Sequence, residues 1–463
     1  MDHRVFSSLV VQLPAGRLST SQADKQAHSK DESFHPPHAP DLIVWPESTE
    51  EVSLVLQWAN ERGLPVTAWG GGTSLEGNPI PAQGGIVLDM TRMDRIVEVL
   101  ADDFLARVQP GIIGDELNKQ LSRYGLFFPA LPGSSNVATI GGMIANNAGG
   151  MIAARYGVVG DNVLALEVVL ADGTILRTGS HSLKSVAGYD LISLFVGSEG
   201  TLGIITEATL RLRGLPPGRL VMLASFDDVQ NAGDAARDLV GSGIQLAALE
   251  LMDAEFVKLA NQAKGLNWRI APTLLIELHG IPQGLAIDAA LAETLCRDHG
   301  CATFERATAT HDQNRLWEAR RGVRPAVRTL LPNQGVLAGD IGVPLSAIPG
   351  LIRKAQELGR EHSTRIVTYG HAGDGNFHIW ALYELSDPAS QERAREVNEA
   401  LIRYALSVGG TCAAEHGIGL GKQKFLLLEH PSSTPIMLAI KRLLDPKGIL
   451  NPGKIFPPGL DVT

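Results

Sequence analysis

Pro65-Val-Thr-Ala-Trp-Gly-Gly-Gly-Thr-Ser-Leu-Glu-Gly-Asn-Pro79 is the stretch on which the fold turns. It opens as a strand, Pro65 to Trp69, and runs into glycine. A nucleotide P-loop would need Lys and Ser or Thr after Gly77, where Asn78 and Pro79 stand. A dinucleotide fingerprint would place its third glycine elsewhere and continue as a helix, which Pro79 and Pro81 deny. What remains is a run of small residues after a strand, whose backbone N–H groups can form a nest for an anion. Two further loops share this texture. Pro132-Gly-Ser-Ser-Asn136 leads into Thr139-Ile-Gly-Gly-Met-Ile-Ala-Asn-Asn-Ala-Gly-Gly150, read as a short helix of tiny residues, and Gly197-Ser-Glu-Gly-Thr-Leu-Gly203 is the third. Ser198 is not centred in GxSxG, so it is no hydrolase elbow. Three such loops in one region point to a long phosphorylated ligand lying against backbone.

Around this stretch the pattern is α/β. Leu42 to Trp45 reads as a strand, and Ser48 caps a helix that Gly63 stops. Leu164 to Leu170 and Ile175 to Thr178 form a strand pair across Asp172-Gly173, and Ile204 to Arg213 is another strand. Before Asp41 the prolines of Asp31 to Pro40 predict an irregular lead-in. Leu215-Pro-Pro-Gly218 reads as a boundary. Strands follow at 220–226, 246–252, 273–279 and 303–307, alternating with helices at 228–239 and 285–299 and a helix over His311 to Arg320. Further helices fall at 347–362 and 388–408. The alternation suits an antiparallel sheet with helices on one face.

The 463 residues exceed the size at which single cores stop growing, so two domains are expected. The net charge of −10 lacks the basic footprint of a nucleic-acid binder. Cys296, Cys301 and Cys412 contain no CxxC, which indicates neither a disulfide framework nor a thiolate metal site. No run reaches the ~20 apolar residues of a membrane span, and the N-terminal stretch, broken by Pro14, has no signal h-region. The expected location is cytoplasmic, with a peripheral contact to the inner membrane as the alternative.

Downstream stands His371-Ala-Gly-Asp-Gly-Asn-Phe-His378, echoed by the adjacent pair Glu415-His416. Two imidazoles and a carboxylate can hold one divalent cation while a fourth polar side chain moves a proton. On a helix the two histidines would lie about 10.5 Å apart along the axis, too far to share an ion at ~2.0–2.1 Å each. On an unbroken strand they would face opposite sides. Gly373-Asp-Gly-Asn376 lets the chain reverse and bring both to one point. Adjacent side chains on a strand diverge, so Glu415 can ligate while His416 faces a substrate.

Jointly these stretches resemble the flavoprotein family related to vanillyl-alcohol oxidase. Within it they resemble the D-2-hydroxyacid dehydrogenase branch, which includes cytochrome-type D-lactate dehydrogenases, the flavin subunit of glycolate oxidase and D-2-hydroxyglutarate dehydrogenase. The resemblance runs from about Asp31 to Phe456. It is carried by Trp69 to Pro79 with Gln83-Gly-Gly, Pro132 to Gly150, Gly188-Tyr-Asp190 with Gly197 to Gly203, His371 to His378, Glu415-His-Gly-Ile-Gly419, and Asn451 to Phe456.

What it implies is an α+β protein. After a lead-in at 1–40, a two-subdomain FAD-binding domain fills 41–215. A substrate domain with an antiparallel sheet and the metal site fills 216–420, and 421–463 returns to the FAD domain. FAD contacts are implied at Gly70, Gly71, Gly72, Thr73, Ser74, Pro132, Gly133, Ser134, Thr139, Gly142, Asn146, Gly150, Gly200, Ile204 and Asn451. The resemblance places a divalent metal, Zn, Mn or Fe by ligand type, on His371, His378 and Glu415, and a catalytic base at His416. The family's Trp-x-x-Arg stretch matches Trp317-Glu-Ala-Arg320, which puts Arg320 at the substrate carboxylate. Gly322 to Asp340 matches the dicarboxylate enzymes poorly, which counts against D-2-hydroxyglutarate. The implied reaction is FAD-dependent oxidation of a small D-2-hydroxy acid, D-lactate foremost. Its electron acceptor is a cytochrome, a quinone or an electron-transfer flavoprotein. The assembly is left open, a homodimer or a glycolate-oxidase-like complex among the arrangements. A flavin alkyl transferase is the non-redox alternative, against which the His/His/Glu set argues.

Overall fold

The computed structural model describes residues 6–460. The chain divides into two compact units, one of Met1–Gly149, Val158–Leu215 and Glu415–Thr463, the other of Gly150–Gly157 and Pro216–Ala414.

In the first unit, strands Leu42–Val44, Ile86–Asp89 and Val66–Trp69 run parallel in that order, with the short Leu18–Ser19 added antiparallel at the edge. The helix Thr49–Arg62 connects two of them. The Ser48 hydroxyl accepts from the Glu51 amide at 3.3 Å, and Gly63 ends the helix at a φ of 62°, a left-handed turn that glycine adopts without a Cβ clash. Its buried face, Val52, Val55, Leu56 and Ala59, packs with Leu42, Val44, Ile86 and Leu88. A second, antiparallel sheet orders Ile96–Leu100, Leu105–Val108, Ile204–Arg211, Val163–Val169 and Ile175–Gly179. The last two are joined through Gly173, whose amide donates to the Leu170 carbonyl at 2.9 Å.

The lead-in is more ordered than its sequence suggests. Beside the edge strand it holds a helix, Gln22–Ala27, capped by Ser21, whose hydroxyl accepts from the Asp24 amide at 3.1 Å. His28 anchors it. The ring Nδ1 meets the Asp24 carbonyl at 2.8 Å and Nε2 meets Asp89 at 2.9 Å, while the Trp45 indole donates to the same carboxylate at 2.7 Å.

The second unit is built on seven strands, all paired antiparallel. Their order is Cys301–Ala307, Arg219–Phe226, Thr273–His279, Leu246–Met252, Arg365–His371, Asn376–Glu384 and Gln334–Gly342. Helices cover both faces rather than one. Ala254–Lys264 and Thr310–Leu330 pack on the face bearing Val221, Leu223, Ala248, Leu275, Val367 and Tyr369. Strand alternation turns Met222, Ala224 and Ile276 the other way, toward Val229–Gly241, Pro282–Asp298, Ile348–Glu361 and Pro388–Ser407. Apolar residues on both faces of these strands carried that signal.

The helix expected to end at Arg320 continues through Pro325 to Leu330. Pro325 forgoes the bond to the carbonyl of residue 321, at a usual cost of about 3 kcal/mol. Trp317, Val323 and Val327, all buried in the same apolar cluster, offset that loss. The excursion Gly150–Gly157 is pinned to this unit by Arg155, which donates to the carbonyls of Gln245 at 3.0 Å and His279 at 2.8 Å.

Candidate active site

In the first unit the three glycine loops come together, and their glycines do two different jobs. A Cβ on Gly70 would collide with the Thr139 hydroxyl, on Gly71 with the Val137 carbonyl, and on Gly72 with the Trp69 ring. Gly70 and Gly71 are glycine so that the first loop can lie directly on the second, and Gly72, at a φ of 64°, so that the loop can fold back on its own Trp69. Gly133 and Gly200 face open space instead, with nothing within 4 Å of the first and only Ala68 at 3.9 Å from the second. At exposed Gly133 the backbone is open to a ligand, whereas buried Gly200 is called for by its φ of 69°. Thr139 caps the helix Ile140–Ala145, its hydroxyl accepting from the Gly142 amide at 3.4 Å. Asn147 at φ 49°, Glu199 at 52° and Asn451 at 40° are non-glycine residues in left-handed backbone, and such strain gathers at ligand sites.

Glu199 is a residue the sequence reading passed over. Its buried carboxylate accepts from Asn78 Nδ2 at 2.6 Å and from the amides of Ile418 at 2.7 Å and Gly419 at 2.9 Å. Burial pushes its pKa up, against these donors and the Lys454 ammonium. Asn451 completes the tie, donating to the carbonyls of Asn78 at 3.0 Å and Glu199 at 2.7 Å. Asn146 donates to the His416 carbonyl at 3.3 Å. Thr73, Ser74, Pro132 and Ser134 lie on the same loops, and Ser74 pairs with Asn78. Ile204, by contrast, is buried in the core, so only its backbone can meet a ligand. Gly150 begins the excursion that belongs to the second unit. Glu415 and His416 lie in a bend, not on a strand, and open the return of the chain to the first unit.

In the second unit the turn at Ala372–Gly375 makes a hairpin of Arg365–His371 and Asn376–Glu384, with His371 opposite Asn376 and Tyr369 opposite His378. That register puts both histidines on one face. Their ring centroids are 5.5 Å apart and the planes perpendicular. The expected reversal therefore occurs, as a tight hairpin.

Two acids unmarked by the sequence reading stand behind them. Glu250, wholly buried, lies opposite His371 in the neighbouring strand. Its Oε1 holds His371 Nδ1, and its Oε2 receives Arg320 Nε at 2.8 Å and Nη2 at 2.5 Å. Burial would raise its pKa, but Arg320 and His371 outweigh it and hold the group down to about 2. Arg320 lies over the Tyr369 ring at 4.4 Å from its centroid. Asp340, also fully buried, is paired with His378 across strands. Its Oδ1 is 3.9 Å from His378 Nδ1, and its Oδ2 accepts the Ala414 amide at 3.0 Å, one residue before Glu415. The one signal for Glu250 was a lone acid within the apolar run Leu246-Ala-Ala-Leu-Glu-Leu-Met252. His371, backed by a carboxylate on one nitrogen, presents the other in a fixed direction, and two imidazoles on one face with a buried carboxylate 3.9 Å from the second are donors that suit a divalent metal.

A unit knitted from glycine loops and a sheet unit carrying paired histidines and a buried arginine are the two parts of an FAD-linked oxidoreductase with a fold of vanillyl-alcohol-oxidase type. The family matches agree: residues 40–179 match the FAD binding domain, and 215–455 match the FAD linked oxidases, C-terminal domain. The chain belongs to the FAD-linked oxidase family. It is 39% identical over 445 residues to a probable mitochondrial D-lactate dehydrogenase of Danio rerio, covering 95% of this chain and 89% of that one. It is 35% identical over 439 residues to the glycolate oxidase subunit GlcD of Bacillus subtilis (strain 168), covering 94% and 93%. Among solved structures, p-cresol methylhydroxylase with substrate bound shares the fold at a TM-score of 0.82 and 17% identity, over 98% of this chain and 96% of that one.

Proposed function

We propose that this protein oxidises a small D-2-hydroxy acid, D-lactate foremost, to the 2-oxo acid. The observation that carries this reading is Glu250, which ties a candidate cation ligand, His371, and a candidate carboxylate-binding arginine, Arg320, to one side chain. A 2-hydroxy acid presents a hydroxyl and a carboxylate on adjacent carbons, so it needs those two groups close together.

FAD, when bound, supplies the acceptor for the hydride leaving C2, and a divalent cation supplies a Lewis acid that lowers the pKa of the hydroxyl. His371, His378 and Glu415 are the residues assigned to that cation. Arg320 fixes the substrate carboxylate. His416 takes the hydroxyl proton on its imidazole, a base whose ordinary pKa suits the task near neutrality. Beyond Arg320 the cationic side chains Arg321, Arg324 and Arg328 are exposed, which favours a substrate with one carboxylate over a dicarboxylate. The similarity to a glycolate oxidase subunit over most of both chains favours glycolate as the second reading.

The test is flavin bleaching under anaerobic conditions with D-lactate, L-lactate, glycolate and D-2-hydroxyglutarate. D-lactate is expected to bleach fastest and L-lactate and the dicarboxylate poorly. A higher specificity constant for D-2-hydroxyglutarate overturns the pocket assigned here, and one for glycolate replaces it with the second reading.

A further inference from the structure

Resting on the metal and carboxylate roles proposed above, we propose that Glu250 is a positioning residue that sets the cation ligand and the carboxylate anchor together. An ionised carboxylate only accepts hydrogen bonds. With Oε1 on His371 Nδ1, that nitrogen is the donor and Nε2 is the ring atom that would ligate a cation. With Oε2 receiving Arg320 side-on through Nε and Nη2, the guanidinium plane is fixed and Nη1 lies outside the pair. Three elements meet at this carboxylate. The Leu246–Met252 strand carries it, the Arg365–His371 strand lies beside it in register, and the Thr310–Leu330 helix brings Arg320 down onto the same face. Complete burial keeps water from competing for either oxygen.

No neutral replacement can serve both partners. An amide at position 250 has one accepting oxygen and one donating nitrogen. If the oxygen faces Arg320, the NH2 faces His371 Nδ1, drives the proton to Nε2 and disables the ligand. If the oxygen faces His371, two donors oppose each other at Arg320. Aspartate keeps the charge but, one methylene shorter, reaches only one partner. A buried ion pair with a purely structural role would lack this selectivity, since its loss would lower stability without linking metal affinity to substrate binding.

The experiment is a double-mutant cycle on the full-length holoprotein, with Mn²⁺ affinity as the first readout and KM for the best-bleaching hydroxy acid as the second. FAD content and melting temperature report folding. Glu250→Gln is expected to weaken Mn²⁺ binding about 10–100-fold, the usual effect of losing a partner behind a metal ligand, and to raise KM, with FAD retained. Arg320→Ala should weaken Mn²⁺ binding in the wild-type background and add nothing in Glu250→Gln, because both act through one carboxylate. Should Glu250→Gln fail to fold, Glu250→Asp must impair metal affinity or KM while retaining FAD. Wild-type Mn²⁺ affinity in folded Glu250→Gln, a folded Glu250→Asp in which metal affinity and KM are both unchanged, or strictly additive effects in the cycle, overturns the proposal alone. A wild-type protein that takes up no divalent cation overturns the metal reading itself and this inference with it.

Discussion

At the scale of single residues the proposed roles separate by how each variant fails. His371→Ala and His378→Ala are expected to lose divalent metal but keep FAD, whose loops belong to the other unit. His416→Ala is expected to keep both and lose about 10²–10⁴-fold in kcat, the contribution of a positioned general base. Elemental analysis beside the flavin spectrum decides this, and full metal content in both His371→Ala and His378→Ala defeats the ligand assignment. The histidines were legible because a chain reversal between them was written in glycine and asparagine, residues with few other reasons to cluster. Glu250 and Asp340 were not. A single acid in an apolar strand carries no periodic signature, and its purpose appears only when the neighbouring strand and the covering helix are in place.

At the scale of elements the lead-in helix Gln22–Ala27 is anchored by one histidine. Both ring nitrogens of His28 face acceptors, the Asp24 carbonyl and the Asp89 carboxylate, so it is the protonated ring, donating from both, that satisfies the pair. Burial pushes its pKa down, yet the bonds to Asp89 and Asp24 outweigh burial and leave it raised. For Asp89, burial pushes up while His28 and Thr91 bring the net shift down. The signs follow from linkage. The His28 contribution is full below its ordinary pKa of ~6.5 and is lost as pH rises through the raised value. The Asp89 contribution is lost as pH falls through its depressed value. Hydrogen exchange at the amides of 22–29 is therefore expected to lose protection from pH 6 to pH 9 once corrected for intrinsic rates. Equal protection at both, or no effect of His28→Gln at pH 6, counts against the clasp. The sequence hid this element for a physical reason: six residues are too short to show helical periodicity, and the contacts that stabilise the helix come from Asp89 and Trp45, far along the chain. The Thr49–Arg62 helix was readable because its cap, its stop and its buried face are all local.

At the scale of the whole molecule, the first unit is assembled from three separate lengths of chain, and its flavin loops are joined by the last of them. Glu199 is the knot. Glu199→Gln keeps the shape but has one accepting oxygen for the three donors at Asn78, Ile418 and Gly419. An unsatisfied buried donor costs about 1–3 kcal/mol, so FAD affinity is expected to fall roughly 5–100-fold while metal affinity holds. Unchanged FAD affinity by fluorescence titration refutes the role. The two-domain organisation was visible from composition and from the Leu215-Pro-Pro-Gly218 break. The return of the chain was visible only through resemblance, because nothing in a polar Asn-Pro-Gly-Lys stretch says which distant carbonyls it will meet.

That return also sets an order of events during synthesis. The glycine loops leave the ribosome early, but Asn451 and Lys454, which join them, emerge only after all of Pro216–Ala414 has been made. At ~5–20 residues per second the interval is on the order of tens of seconds. The sheet unit can fold within that time, while the glycine loops stay unjoined. Closure of the glycine loops is thus placed at the end of translation, and a chain stalled anywhere before Asn451 would lack the side chains that join them.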